Sequence, residues 1–174
     1  MEAMPPALRL RPFRPADRPA ALAAHDALVA DNFSFLLDYS PGESWAGYLA
    51  RLDDHRRGVG VPADRVPSTF LAAVTGVELV GRVSIRHQLN EFLETLGGHI
   101  GYAVVPARRR RGYATEILRQ SLVVARSLGI DRVLVTCDDD NVGSATVIER
   151  CGGVLESVVP DPGGGAPKRR YWID

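Results

Sequence analysis

The stretch "HIGYAVVPARRRRGYATEIL", residues 99–118, changes character halfway along. Its first seven residues read as a strand that Pro106 ends, because proline cannot continue a ladder. Four arginines, Arg108 to Arg111, then lead to Gly112. Beyond it, Ile117, Leu118, Leu122, Val124, Ala125 and Leu128 recur at helical spacing as far as a stop at Gly129. The next segment, "DRVLVTC" at 131–137, carries the unbroken run Val133-Leu134-Val135, the pattern of a strand buried on both faces in a parallel pair. The order is therefore strand, arginine loop, helix, strand. A crossover of this kind puts the loop and the first helical turn at the C-terminal edge of the sheet, where ligands bind in α/β proteins.

The chemistry of that edge favours an anion. The first N–H groups of a helix lack intrahelical partners, and the macrodipole adds about half a positive charge there. Gly112 lets the chain turn and approach a ligand without a Cβ in the way, and Ala114 keeps the next approach small. Backbone amides of residues 109–115 can hold a diphosphate, with one or two arginines closing over it. Arginines placed there only as a solvated loop would oppose the dipole, at a cost of about a few tenths of a kcal/mol each.

The whole-chain composition narrows the function classes. A length of 174 residues suits one domain, taken as 1–174 with a loose tail over 1–6. The 21 basic and 21 acidic residues cancel, whereas a dedicated nucleic-acid binder carries a basic excess. Cys137 and Cys151 form no CxxC, and His25, His55, His87 and His99 lie far apart, so neither a metal site nor a disulfide framework is expected. With no apolar signal region and no run of about 18 apolar residues, a cytoplasmic location away from membranes is expected.

Upstream, "ALRLRPF" alternates like a half-buried strand. Two helices follow, one from Asp17 as N-cap and one over "PGESWAGYLARLDDHRRG" ending at Gly58. The runs "STFLAAV" and "VELVGRVSIRH" flank Thr75-Gly76, which predicts a hairpin. "LNEFLETLGG" reads as a polar connection, and "KRRYWI" as a last strand after Gly163-Gly164-Gly165.

These pieces carry a resemblance. Arg109-Arg110-Arg111-Gly112-Tyr113-Ala114 after a strand resembles the Arg/Gln-x-x-Gly-x-Gly/Ala signature of the GCN5-related N-acetyltransferase (GNAT) family. "NVGSATVIERCGGVLE" is similar to the family's next motif, and "SIRHQLNEFL", "GGHIGY" and "KRRYWI" resemble a bacterial subgroup of predicted acetyltransferases. The resemblance implies a mixed α/β fold: a mostly antiparallel twisted sheet of about seven strands with a parallel central pair, flanked by about four helices. It implies acetyl-CoA as co-substrate and direct acetyl transfer to a primary amine, with a homodimer as a possible assembly.

Carried over, the resemblance gives Ala103, Val104 and Val105 the pairing with the pantetheine arm, and Arg109, Arg110, Arg111, Gly112, Tyr113, Ala114 and Thr115 the diphosphate. Asn141 would lie near the acetyl end with Ser144 close by; Asn141 also reads as a helix N-cap, and both roles are compatible. His99 stands where many members place a glutamate, which makes it a candidate base at neutral pH. The other reading of His99 is a hydrogen-bonded residue that orients its strand. Glu91, Glu94 and His87 are the alternative bases. The position of the family's common tyrosine acid is Ile148, so no general acid is assigned. Cys137 reads as a small buried residue, with no partner histidine to make it a nucleophile.

The first two helices and the connection before the "HIGY" strand would form the acceptor site, which nominates Asp31, Asp38, Tyr39, Glu43, Trp45, Arg86, His87 and Asn90. Carboxylates would suit a cationic amine, while Arg86 would suit an acceptor carboxylate. Two other function classes stay open: a non-catalytic acyl-CoA binding module, on account of Ile148, and a nucleic-acid binder through Arg108 to Arg111.

Overall fold

The computed structural model describes residues 7–174; the tail expected over 1–6 lies outside the described residues. Strand β1 (Leu8–Pro12) turns Leu8 inward and leads through a 3-10 turn at Pro15–Asp17 into α1 (Arg18–Val29). Asp17 does not cap α1 with its side chain. Its carboxylate belongs to the preceding turn, where it accepts the Arg14 N–H (2.7 Å) and two bonds from Arg11 (2.7 and 2.9 Å). The turn begins one step earlier than the sequence predicts, so the cap shifts with it. Helix α2 (Trp45–Arg56) starts where the Ser44 hydroxyl accepts the Gly47 N–H (3.0 Å).

Strands β2 (Ser68–Thr75) and β3 (Glu78–Arg86) form the predicted hairpin across Gly76 and Val77. The connection to β4 (Ile100–Val104) closes into a helical turn at Leu93–Gly97, capped by the Asn90 Oδ1 accepting the Leu93 N–H (2.9 Å). Then come α3 (Tyr113–Ser127), β5 (Val133–Asp138), α4 (Val142–Arg150), β6 (Val154–Val159) and β7 (Lys168–Ile173).

The mixed α/β architecture and the seven strands agree with expectation, but the strands divide into two antiparallel sheets, β1-β2-β3-β4 and β5-β7-β6. The two outer strands β4 and β5, expected as a parallel pair, touch only at one point. There the His99 N–H donates to Leu134 O (2.7 Å) and the His99 Nδ1 accepts the Leu134 N–H (2.9 Å). Past this junction no ladder joins them, which opens a gap between two strand edges.

The core lies in two layers. On one side, Ile117, Leu118, Leu122 and Ala125 of α3 and Ile148 of α4 pack against Val83, Ile85, Ile100, Val135 and Tyr171. Each fully buried aliphatic side chain of this kind contributes about 1.5–3 kcal/mol. On the other side, α1, α2 and the loop between them pack Leu28, Phe35, Trp45 and Tyr48 against Phe70, Ala72 and Val74.

Candidate functional site

The gap between β4 and β5 widens into a cleft of about 620 Å³, walled by Tyr102, Ala103 and Val104, the arginine loop, the start of α3, and Asn141, Ser144 and Val147 of α4. Its floor is backbone. Arg86 donates its N–H to His99 O (2.7 Å) and Val105 to Val80 O (2.8 Å). Because an antiparallel ladder alternates, Gly101 and Ala103 turn their peptide groups to β3, as do the His99 carbonyl and the Val105 N–H, and Tyr102 and Val104 turn theirs to the cleft. Of the three residues expected to pair with an extended ligand, Val104 alone is so placed. Ala103 contributes only its side chain, and both peptide groups of Val105 are spent, its carbonyl accepting the Arg108 N–H (2.8 Å). Tyr102 replaces them, a residue that the sequence reading left without a role.

The mouth of the cleft is the arginine loop. Arg110 (φ 63°) and Gly112 (φ 81°) are both left-handed. Left-handed residues are the building blocks of anion-binding nests, and this loop runs directly into the N-terminus of α3. The four arginines part company. Arg108 pairs with Glu78, Arg109 lies in the cleft with its Nε donating to Val104 O (3.3 Å), and Arg110 lines the cleft without a partner among the described residues. Arg111, expected to hold the diphosphate, is exposed and stands outside the lining. Gly112, Tyr113, Ala114 and Thr115 line the cleft.

Asn141 caps α4, its Oδ1 accepting the Ser144 N–H (3.0 Å), and it also lines the cleft. Ile148 is fully buried in the core. The Tyr102 hydroxyl is buried in the cleft wall and has no hydrogen-bond partner, alone among buried side-chain polar atoms of the described residues. Burial pushes its pKa up to about 12, against a smaller opposing pull from the neighbouring Ser144. Phe33, Gly143 and Arg150 also line the cleft and had no signal in the sequence.

His99 is buried, and burial followed by the charge of Arg86 lowers its pKa from the ordinary 6.5. Since Nδ1 accepts the Leu134 N–H, the neutral ring carries its proton on Nε2 and has no lone pair left for another. That geometry corrects the base assignment. His99 instead satisfies both peptide groups of Leu134 and latches the two sheets where they diverge. Glu91 and Glu94 are exposed, and neither faces a cavity; the Glu94 carbonyl holds Arg170 (2.8 Å). His87 shares a hydrogen bond with the Thr69 hydroxyl (2.8 Å), and burial, then Arg56, lowers its pKa.

A second cavity of about 510 Å³ opens on the α2 side of β3, lined by Asp38, His55, Asp64, Ser84, Arg86 and Asn90 together with apolar residues such as Phe70 and Phe92. Of the residues nominated for the acceptor, Asp38, Arg86 and Asn90 line this cavity. Tyr39 and Trp45 are not. They stack in an aromatic cluster with Tyr48, and the Trp45 Nε1 donates to Arg14 O (3.1 Å). Helix α2 turns Trp45 and Tyr48 to the core and Tyr39 of the preceding loop packs against both, so Tyr39 and Trp45 are packing residues. Among the described residues, no group of three or more His, Cys, Asp or Glu is placed to hold a metal ion, and no helix is long and apolar enough to cross a membrane. Burial raises the Cys137 thiol pKa, which fits a structural thiol.

The sequence matches the model of the acetyltransferase (GNAT) domain over residues 7–154. No curated protein matches it. Among solved structures, Mycobacterium smegmatis RimJ in complex with CoA-disulfide is 20% identical, with a TM-score of 0.69 over 95% of this chain and 81% of that chain. A Salmonella typhimurium acetyl transferase that modifies the N-terminal serine of a 50S ribosomal subunit protein is 21% identical, with a TM-score of 0.66 over 96% and 95%. The yncA protein of the same species, solved with its cofactor acetyl-CoA, is 15% identical, with a TM-score of 0.63 over 96% and 93%. At these identities the solved structures establish the shared fold. The family match spans most of the chain and includes the whole cleft, so the protein belongs to the GNAT acetyltransferase family and is an acyltransferase.

Proposed function

We propose that the protein transfers the acetyl group of acetyl-CoA to a primary amine of a small molecule by direct attack, with both substrates bound. One observation carries this reading: the two cavities are lined by adjacent strands of one sheet, the cleft by β4 and the other cavity by β3. Tyr102 and Val104 wall the cleft, while Ser84 and Arg86, the β3 neighbours of Gly101 and His99, wall the other cavity. A thioester held in the cleft and an amine held in the cavity would meet at β4.

The cleft fits acetyl-CoA by its donors. The left-handed turn at Arg110 to Gly112 and the start of α3 suit a diphosphate, Arg109 and Arg110 add charge, and the peptide groups of Tyr102 and the N–H of Val104 suit an amide-bearing arm, the Val104 carbonyl being held by the Arg109 Nε. Acetyl-CoA supplies the activated acyl group. In the transfer, the amine nitrogen bonds to the carbonyl carbon, the C–S bond breaks with its electrons going to sulfur, nitrogen loses a proton and sulfur takes one up. Tyr102 is the donor for that last proton: its hydroxyl is protonated at neutral pH and has no competing acceptor. The amine proton passes into the acceptor cavity, where His55 and Asp64 line the space and form no ion pair among the described residues.

Calorimetric titration with acetyl-CoA, followed by coenzyme A release across an amine panel, tests the reading. Saturable one-site binding and turnover with a primary amine are expected. Binding without turnover on any amine would leave an acyl-CoA binding module, and the absence of binding would remove the cleft assignment.

A further inference from the structure

Arg82 and Arg86 are neighbours on β3, and neither has a carboxylate within ion-pair distance among the described residues. They solve that problem differently. Arg82 spends all of its fork on carbonyls: Nε on Phe35 O (3.0 Å), Nη1 on Gly101 O (3.2 Å) and Nη2 on Ser34 O (2.9 Å). It is a structural arginine that holds the loop before α2 against the sheet. Arg86 uses Nη1 alone, in two long bonds to Gly97 O (3.3 Å) and Gly98 O (3.4 Å), and leaves Nε and Nη2 without a protein partner. Since the one wholly buried unpartnered side-chain atom is the Tyr102 hydroxyl, those free Arg86 groups are open, and the space they open on is the 510 Å³ cavity.

The surroundings do not neutralise Arg86. Arg51 and Arg65, which line the same cavity, are held by Glu43 (2.8 Å) and Asp38 (2.9 Å). The charge that acts on Arg86 most is Arg65, another cation; together with burial it lowers the guanidinium pKa to about 10, which keeps it charged at neutral pH. A desolvated cation without a counter-ion is costly, and a guanidinium with two adjacent free donors matches a carboxylate in the bidentate mode. Room for this fork comes from Gly101, where a Cβ would sit 3.2 Å from both Nη atoms. Gly101 directly precedes Tyr102 and Ala103 of the cleft wall, so an anion on Arg86 lies beside the strand at which transfer takes place.

We propose that Arg86 is the carboxylate-binding residue of the acceptor site and that the acceptor is an amine bearing a carboxylate a few bonds away, as in a free amino acid. The inference rests on the acetyltransferase reading above and adds the substrate class. The apolar share of the cavity, Phe70, Phe92 and Leu93, faces the rest of that molecule.

The test compares matched pairs, glycine with glycinamide and phenylalanine with phenylalaninamide, by initial rates of coenzyme A release at saturating acetyl-CoA. It uses the wild type, Arg86→Gln and Arg86→Lys, each checked for its melting temperature and for acetyl-CoA affinity by calorimetry. In the wild type, kcat/KM for at least one amino acid exceeds that of its amide by roughly 10-fold or more. Arg86→Gln erases that preference and leaves acetyl-CoA affinity unchanged, and Arg86→Lys retains part of it. Amides turned over as well as acids by the wild type would overturn the proposal, as would an Arg86→Gln enzyme that keeps the preference. Normal acetyl-CoA binding with no turnover of any amino acid overturns the acceptor class alone, whereas wild type that fails to bind acetyl-CoA overturns the acetyltransferase reading beneath it.

Discussion

The two cavities, lined by adjacent strands of one sheet, are built by different means. The cleft beside β4 draws mostly on one stretch of chain, Tyr102 to Thr115, which the proposal gives to the cofactor, and is completed by Phe33, Asn141 and residues of α4. The acceptor cavity is made of side chains from the loop before α2, α2 itself, both strands of the hairpin and the turn before β4. A backbone-built site holds any ligand with the right donor and acceptor pattern and depends on few side chains, those whose size or φ the path requires. A site built from side chains can change its ligand one residue at a time. Cofactor identity therefore resides in conformation, and acceptor identity in composition.

The sharpest way to break that contrast is Gly112→Glu. A Cβ at Gly112 meets no atom within 4 Å, so the substitution leaves the packing of the chain intact, but it forces an L-residue to φ 81° and puts a negative charge in the left-handed turn. Acetyl-CoA affinity should fall by ~100-fold or more, measured by calorimetry, with a near-normal melting temperature. Binding at wild-type strength would show that the diphosphate seat lies elsewhere.

Tyr102→Phe tests the one side chain of the cleft that is given chemical work. Loss of the proton donor should lower kcat by roughly 10-fold or more. Acetyl-CoA affinity should hold, since only the peptide groups of Tyr102 face the arm, and stability should hold or rise because an unpartnered buried hydroxyl is removed. A thioester whose leaving thiol is more acidic should shrink the kcat defect; a defect independent of the leaving group would exclude the role.

The same division governs what the sequence discloses. The strand, arginine loop and helix around Gly112 are legible because their signals are local: a proline stop, a glycine at a left-handed position and an apolar face of period 3.6. Which peptide groups of β4 face the cleft is a matter of ladder parity, and parity is fixed by pairing with β3, fifteen or more residues away. That is why Ala103 and Val105 are nominated from sequence and Tyr102 is not. His99 likewise reads as a base by position. Its tautomer is decided by Leu134, thirty-five residues on, through a contact that no local pattern records. Trp45 and Tyr39 are nominated because aromatics beside a ligand and aromatics in a core are the same letters; only the packing of α2 separates them.

His99→Ala turns the latch reading into a stability measurement. Removing the ring leaves the Leu134 N–H buried without an acceptor, a loss of about 1–3 kcal/mol by denaturant titration at pH 8. The pH dependence has a definite sign. Folding lowers the pKa of His99 and of His87, so the unfolded chain binds protons that the folded chain refuses. Their contribution is fully present above the unfolded value of 6.5 and is lost as pH falls below it towards the folded pKa values. The wild type should lose stability over that window, and the variant should lose less. The pH dependence of kcat in the variant should keep its shape; a limb that disappears would restore His99 as a base.

The smallest effect separates two adjacent arginines of the same charge. Arg110 lines the cleft without a partner among the described residues, and Arg111 stands outside it. Arg110→Gln should weaken acetyl-CoA binding by roughly five-fold at low salt, as expected for one partly solvated contact to a phosphate of about 1 kcal/mol, and added salt should narrow the gap. Arg111→Gln removes the same charge one residue further on and should change affinity by less than about two-fold. Equal losses would mean that the loop attracts its ligand as a diffuse basic patch. Unequal losses mean that the left-handed turn at Arg110 selects one guanidinium for the ligand and releases its neighbour to solvent, so that a run of identical residues acquires its division of labour from the backbone alone.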